Sequence, residues 1–255
     1  MMGIFDSGSG GLTVLRAIRD RLSSPDIIYF GDTLYAPYGS RTREELSVLT
    51  VKALQFLQGK GARSIVSACN SVSASLAISL YDALSLSHNQ IIEMVGPTVA
   101  YFKNSNARIL LCATPATIQS GIYQSGFQMI GKEVTAVPIP DLAGAIEFGK
   151  PTSETENIIR NAFVNVEFSQ FDVLILACTH YPLAKEAFLR VIPNTVLIFD
   201  PAIAVAERVE KEFWPREAGN GTTSFFISKE SDVFRTFVEQ LFPKDEYAIT
   251  VIERS

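Results

Sequence analysis

Two cysteines stand in the same local pattern. Cys69 closes the apolar run of Ile65-Val-Ser-Ala-Cys-Asn-Ser71, and Cys178 closes that of Val173-Leu-Ile-Leu-Ala-Cys-Thr-His180. In each, apolar β-formers give way to small polar residues and then to an amphipathic segment, the pattern of a buried parallel strand turning into a helix. Each thiol is therefore expected at the carboxyl end of a strand and the amino end of a helix. Ligands bind at that edge of an open α/β sheet, and the free N–H groups and dipole of a helix there favour anions, a thiolate included. Two thiols on opposite walls of a cleft suit one task well: taking a proton from one face of a carbon acid and returning one on the other. Cysteine is also a frequent buried residue that acts as a small hydrophobe. We assign that role to Cys112, inside Ile109-Leu-Leu-Cys-Ala113; for Cys69 and Cys178 both readings stay open.

The residues near these cysteines extend the chemistry. His180, two positions beyond Cys178, could polarise the thiol or protonate a substrate group. His88, in a Ser/Asn-rich stretch, reads as solvated. Asp6 and Asp32 end adjacent strands beside Cys69, where they could accept a substrate ammonium or orient the thiol; an Asp there is equally a helix cap. Ser7, Asn70, Ser71, Thr114, Thr117 and Thr179 supply small hydroxyls and amides at strand ends, suited to holding carboxylates and to N-capping alike. The turn Asp6-Ser-Gly-Ser-Gly-Gly11 is neither a phosphate loop nor a dinucleotide fingerprint, because a third glycine would be needed at Thr13.

Strands are predicted at 3–5, 26–30, 63–68, 91–95, 109–113, 134–139, 173–178, 195–199, 224–228 and 247–252. Helices are predicted between them: 12–22, 42–59 (opened by the capping box Thr42-x-x-Glu45), 70–86, 141–149, 154–168, 202–213 and 232–241. The turn at Thr114 takes the place in the second half that the turn at Asp6 takes in the first, and each precedes its cysteine by nearly the same interval. This repeat predicts an α/β protein of two pseudo-symmetric parallel-sheet units with flanking helices and an active site in the cleft between them. The first unit is expected over 1–96 and 205–255, the second over 97–204.

At 255 residues and 47% apolar, the chain can build one or two cores. A net charge of −5 with scattered Lys and Arg disfavours nucleic acid as a partner. No run is long enough to cross a membrane, and the start goes directly into a strand, so a cytoplasmic protein is expected. Three cysteines without a C-x-x-C pair and two histidines predict free thiols, with neither a disulfide framework nor a metal site.

Taken together and in order, Asp6-Ser-Gly-Ser-Gly-Gly11, Ala36-Pro-Tyr-Gly39, Ala68-Cys-Asn-Ser-Val-Ser73, Ala116-Thr117, Glu147-x-Gly149 and Ala177-Cys-Thr-His-Tyr-Pro-Leu183 resemble the glutamate racemases of the cofactor-independent aspartate/glutamate racemase superfamily. The resemblance spans about residues 3–210. It implies an often homodimeric two-unit enzyme that interconverts L- and D-glutamate for peptidoglycan synthesis and needs no cofactor. Carried over position by position, Cys69 and Cys178 match the acid/base pair, supported by Asp6, Asp32 and His180. Ser7, Pro37, Tyr38, Gly39, Asn70, Ser71, Thr114, Thr117, Thr179 and His180 match substrate contacts, and Glu147 a cleft acid of the second unit. The chain departs from the family pattern at Ser71, where the family has Thr, and at Ala113-Thr-Pro. Competing readings are a racemase for aspartate or another amino acid, and a silent amino-acid-binding relative.

Overall fold

The computed structural model describes residues 1–73, 87–243 and 247–252. In chain order its elements are β1 (Met2–Asp6), α1 (Leu12–Arg21), β2 (Ile27–Gly31), α2 (Arg43–Gly59), β3 (Ser64–Ser67), α3 (Asn70–Ser73), β4 (Ile91–Ile92), α4 (Val95–Tyr101), β5 (Ile109–Ala113), α5 (Pro115–Ser120), α6 (Ile122–Met129), β6 (Val134–Pro138), α7 (Leu142–Glu147), α8 (Thr152–Ala162), β7 (Val173–Ala177), α9 (Lys185–Val191), β8 (Leu197–Phe199), α10 (Ala202–Phe213), β9 (Thr223–Ile227), α11 (Asp232–Leu241) and β10 (Tyr247–Val251).

The strands form two parallel sheets, ordered β10-β9-β2-β1-β3-β4 and β6-β5-β7-β8. The second sheet repeats the order β2-β1-β3-β4 of the first, and β9 and β10 extend the first beyond β2. Parallel strands need crossover helices, and these cover both faces of each sheet. Successive residues of β1 show the two-residue alternation: Ile4 packs in a core with α1, α10 and α11, and Phe5 packs in another with α2. In the second sheet Leu110 and Cys112 face α7, α8 and α9, while Ile109 and Leu111 face α4 and α6. The four buried residues of α1, Leu12, Val14, Leu15 and Ile18, follow helical spacing; fully burying each contributes about 1.5–3 kcal/mol. The capping box at the start of α2 is formed as predicted: the Glu45 N–H donates to Thr42 Oγ1 (3.3 Å) and the Thr42 N–H to Glu45 Oε2 (2.9 Å).

Three expectations change. The strand predicted over 91–95 stops at Ile92, and Val95–Tyr101 is a helix. The Glu93 carboxylate accepts the N–H groups of Val95 (2.6 Å) and Gly96 (2.5 Å), which stabilises a helix start that the apolar run concealed. The predicted 154–168 helix runs instead from Thr152 to Ala162. After Cys178 the chain makes a 3₁₀ turn, Tyr181–Ala184, before α9 begins. Of the helix expected over 70–86, Asn70–Ser73 is observed and the rest lies outside the described residues. Among the described residues no helix is long and apolar enough to cross a membrane.

Candidate active site

Since β1, β3, β5 and β7 occupy matching positions, their carboxyl ends bring matching loops to one place. A small, tight cavity forms there. Ser7, Pro37, Tyr38, Gly39, Cys69, Asn70 and Ser71 line it from the first sheet's loops. Thr114, Ala143, Cys178, Thr179 and His180 line it from the second's. A wider, largely apolar space of about 380 Å³ adjoins it, sharing Pro37, Gly39, Thr114 and Ala143.

The glycine-rich turn after β1 is shaped by close approach between the sheets. A Cβ on Gly10 would lie 2.5 Å from Thr179 Oγ1 and 2.7 Å from His180 Nδ1, and one on Gly8 would lie 2.5 Å from Glu147 Oε1. Only glycine admits the second unit so near. Thr179 Oγ1 donates to Asp6 Oδ2 across this junction (3.0 Å), and the Gly8 N–H donates to Asp6 Oδ1 (2.9 Å).

All three cysteines are free and buried. Cys112 lies in β5 with no exposure, as expected of a small hydrophobe, and burial pushes its thiol well up. The Cys69 thiol donates to Ser7 Oγ at 3.7 Å. Burial first, then the Asp6 charge, pushes Cys69 up to about 12, against the weaker pull of the Val72 N–H and Ser7. This overturns the expectation that the helix start favours a thiolate at Cys69. Desolvation together with a neighbouring carboxylate outweighs the N–H groups at the helix start.

Cys178 has a different neighbour. Its Sγ lies 3.9 Å from His180 Nδ1, and His180 Nε2 lies 2.6 Å from Glu147 Oε2. Burial alone would lower His180, but its hydrogen bonds to Cys178 and Glu147 and their charges hold it well above the ordinary imidazole value. Burial would likewise raise Glu147, yet His180 and Ser9 hold it below the usual carboxylate value. The pair is therefore an imidazolium and a carboxylate, and the imidazolium points its second N–H at the Cys178 sulfur. Asp6 is raised by its burial, with partial offsets from His180 and the N–H groups of Gly8 and Gly11.

Four of the sequence-predicted residues stand behind the cavity wall. Asp32 is fully buried; it accepts from Tyr38 OH (2.5 Å) and Ser228 Oγ (2.6 Å), so it meets the cavity through Tyr38. Glu147 stands behind His180, and Asp6 behind Thr179. Thr117 belongs to a hydroxyl cluster in which Ser71 and Thr114 are 3.0 Å apart and Thr114 and Thr117 3.1 Å. Pattern reading passed over Ser9, Ala143 and Ser228. Ser9 fixes Glu147 through both its N–H (2.9 Å) and its hydroxyl (2.5 Å). Ser228 follows β9 and could have been found by the strand-end rule that singled out Asp32; Ala143 carries no signal in sequence. Among the described residues no three His, Cys, Asp or Glu side chains meet as metal ligands would.

Comparison with known proteins identifies the family of the chain. The family model described as Asp/Glu/Hydantoin racemase matches residues 12–209. Glutamate racemase 2 of Caldanaerobacter subterraneus subsp. tengcongensis is 30% identical over 265 residues, covering 99% of this chain and 98% of that protein. The crystal structure of the glutamate racemase isoform RacE1 from Bacillus anthracis superposes with a TM-score of 0.87 at 26% identity, covering 99% of this chain and 97% of that one. Glutamate racemase from Francisella tularensis subsp. tularensis, solved in complex with D-glutamate, gives 0.86 at 25% identity with the same coverage. The chain belongs to the Asp/Glu/hydantoin racemase family and is an amino-acid racemase.

Proposed function

We propose that this racemase interconverts L- and D-glutamate without a cofactor, with Cys69 and Cys178 as acid and base on opposite faces of the α-carbon. The observation that carries this reading is that both thiols reach one small cavity from corresponding strand ends of two facing sheets. For each direction, one sulfur must be a thiolate and the other a thiol. Cys69 rests protonated. A substrate ammonium placed beside it would lower its pKa by favouring the thiolate. The imidazolium of His180, anchored by Glu147, supplies positive charge beside Cys178. A proton taken by either sulfur leaves a carbanion that the other sulfur protonates from the opposite side, which inverts the centre. By resemblance to the family, Cys178 takes the proton from L-glutamate and Cys69 from D-glutamate. The Asn70 amide and the hydroxyls of Ser7, Ser71 and Thr114 line the cavity as donors for carboxylate oxygens.

The reading extends to supply of D-glutamate for peptidoglycan and to a homodimer, which the family resemblance supports, to a cytoplasmic location, and to units bounded at 1–96 with 205–255 and 97–204, which the repeated strand order supports. The test is a panel of L-amino acids, followed by circular dichroism with no added pyridoxal phosphate and after dialysis against a chelator. Loss of optical activity with glutamate, and far slower change with aspartate, is expected. Preference for another amino acid, or dependence on a restored metal or cofactor, would overturn it.

A further inference from the structure

We propose that Tyr123 is a positioning residue for the racemase reaction: it sets which end of the Asn70 side-chain amide faces the substrate. The proposal rests on the racemase reading above. Asn70 opens α3 in the first unit directly after Cys69, is 2% exposed and lines the cavity. A buried carboxamide in such a place can turn its oxygen or its nitrogen inward, and only the nitrogen would serve a carboxylate. The choice is made from the other unit. Tyr123 lies near the start of α6, its ring fully buried in the core that joins α4 and α6 to the second sheet. Its hydroxyl donates to Asn70 Oδ1 at 2.6 Å. The oxygen is thereby held away from the substrate, and Asn70 Nδ2, buried, has no partner among the described residues. A buried N–H₂ without an acceptor is costly to keep, and such groups at a cavity wall call for a ligand that accepts.

The phenol suits this role because it remains a donor. Burial, followed by the charge at Glu93, raises its pKa, so the hydroxyl stays protonated throughout any working range. A phenylalanine at 123 would fill the same core space but would leave Asn70 free to flip. The effect should fall on binding, since an amide holding a carboxylate does so in ground state and transition state alike.

The experiment compares Tyr123→Phe, Asn70→Ala and the double variant in the full chain. Tyr123→Phe is expected to raise KM for glutamate by about tenfold with kcat within about threefold, the size of one misplaced hydrogen bond to a charged group. Adding it to Asn70→Ala should cost less than twofold more, because the phenol acts only through the amide. Independently of activity, the side-chain amide resonances of Asn70, assigned by their loss in Asn70→Ala, should shift in ¹⁵N spectra of Tyr123→Phe. Unchanged Asn70 resonances, an unchanged KM, or additive losses in the double variant would each overturn the proposal. A parent protein that does not racemise glutamate would instead overturn the racemase reading, and the resonance shift would still decide whether Tyr123 sets the amide.

Discussion

Around Cys69 the polar neighbours are a hydroxyl and, further off, a buried carboxylate; around Cys178 they are an imidazole and a carboxylate joined in line. The backbones that carry the two thiols are close equivalents. Each follows the strand next to the central one in a sheet of matching order, and each meets the same cavity. The difference lies in the backbone after each sulfur, α-helical after Cys69 and a 3₁₀ turn after Cys178, and in the side chains around it. Burial and then the Asp6 charge raise the Cys69 thiol, while the polar neighbour of the Cys178 sulfur is His180, tied in turn to Glu147. Duplicated architecture provides two opposed positions, and the loops that cap it give those positions unequal polar surroundings.

The largest effects should come from deleting either sulfur. Cys69→Ala and Cys178→Ala are each expected to lower racemisation by about 10²–10⁴-fold, the range of positioned acid/base catalysis. With a glutamate analogue bearing a β leaving group, elimination needs only the first proton transfer. The two variants should then eliminate from opposite enantiomers. Elimination from the same enantiomer by both would show that the thiols do not divide the faces between them.

Glu147→Gln sharpens the comparison on one side only. The ratio of kcat/KM for the two enantiomers is fixed by an equilibrium constant of unity, so asymmetry must be read in the half-reaction. The variant is expected to slow elimination by about 10–100-fold for the enantiomer served by Cys178 and markedly less for the other. Stability should change too, by about 1–3 kcal/mol at neutral pH, because a buried hydrogen-bonded partner is lost. Glu147 is held below its ordinary value, so its contribution is present above the usual carboxylate range and fades as pH falls through the folded-state value. His180 is raised, so its contribution is full below the ordinary imidazole value and fades as pH rises through the folded-state one. The melting difference between parent and variant should accordingly shrink on acidification. Equal slowing for both enantiomers would contradict the pairing of His180 with Cys178.

A smaller change is expected on the other side. Asp6→Asn removes the charge that, after burial, does most to raise Cys69. The alkylation midpoint of Cys69, followed by mass spectrometry against pH, should fall from near 12 by roughly one unit. An unmoved midpoint would mean that burial alone sets this thiol. The smallest effect serves as a control: Thr42→Ala loses the capping box of α2, remote from both sulfurs, and should cost about 0.5–2 kcal/mol of stability with kcat unchanged. A fall in kcat there would show that the first unit's outer helix is coupled to the cavity.

Much of this molecule was legible in sequence because local rules and tertiary packing agree. The alternating burial of β1, the apolar spacing of α1, the capping box of α2 and the strand-end position of both cysteines follow from short-range periodicity and polar caps. Where a side chain and an apolar run competed, as at Glu93 before α4, periodicity misled, since a carboxylate that caps a helix looks like any other charge in a string. Recognising the motifs named residues but could not rank them by distance from the substrate. Only the folded chain separates Cys69 and Cys178, which line the cavity, from Asp6, Asp32, Thr117 and Glu147, which stand behind it. The surroundings of the two thiols were decided there as well: burial, a carboxylate folded in from β1 and an imidazole tied to α7 are all long-range facts. Sequence determines which groups can hold a proton; which of them does depends on what the fold removes from water and what charge it places alongside.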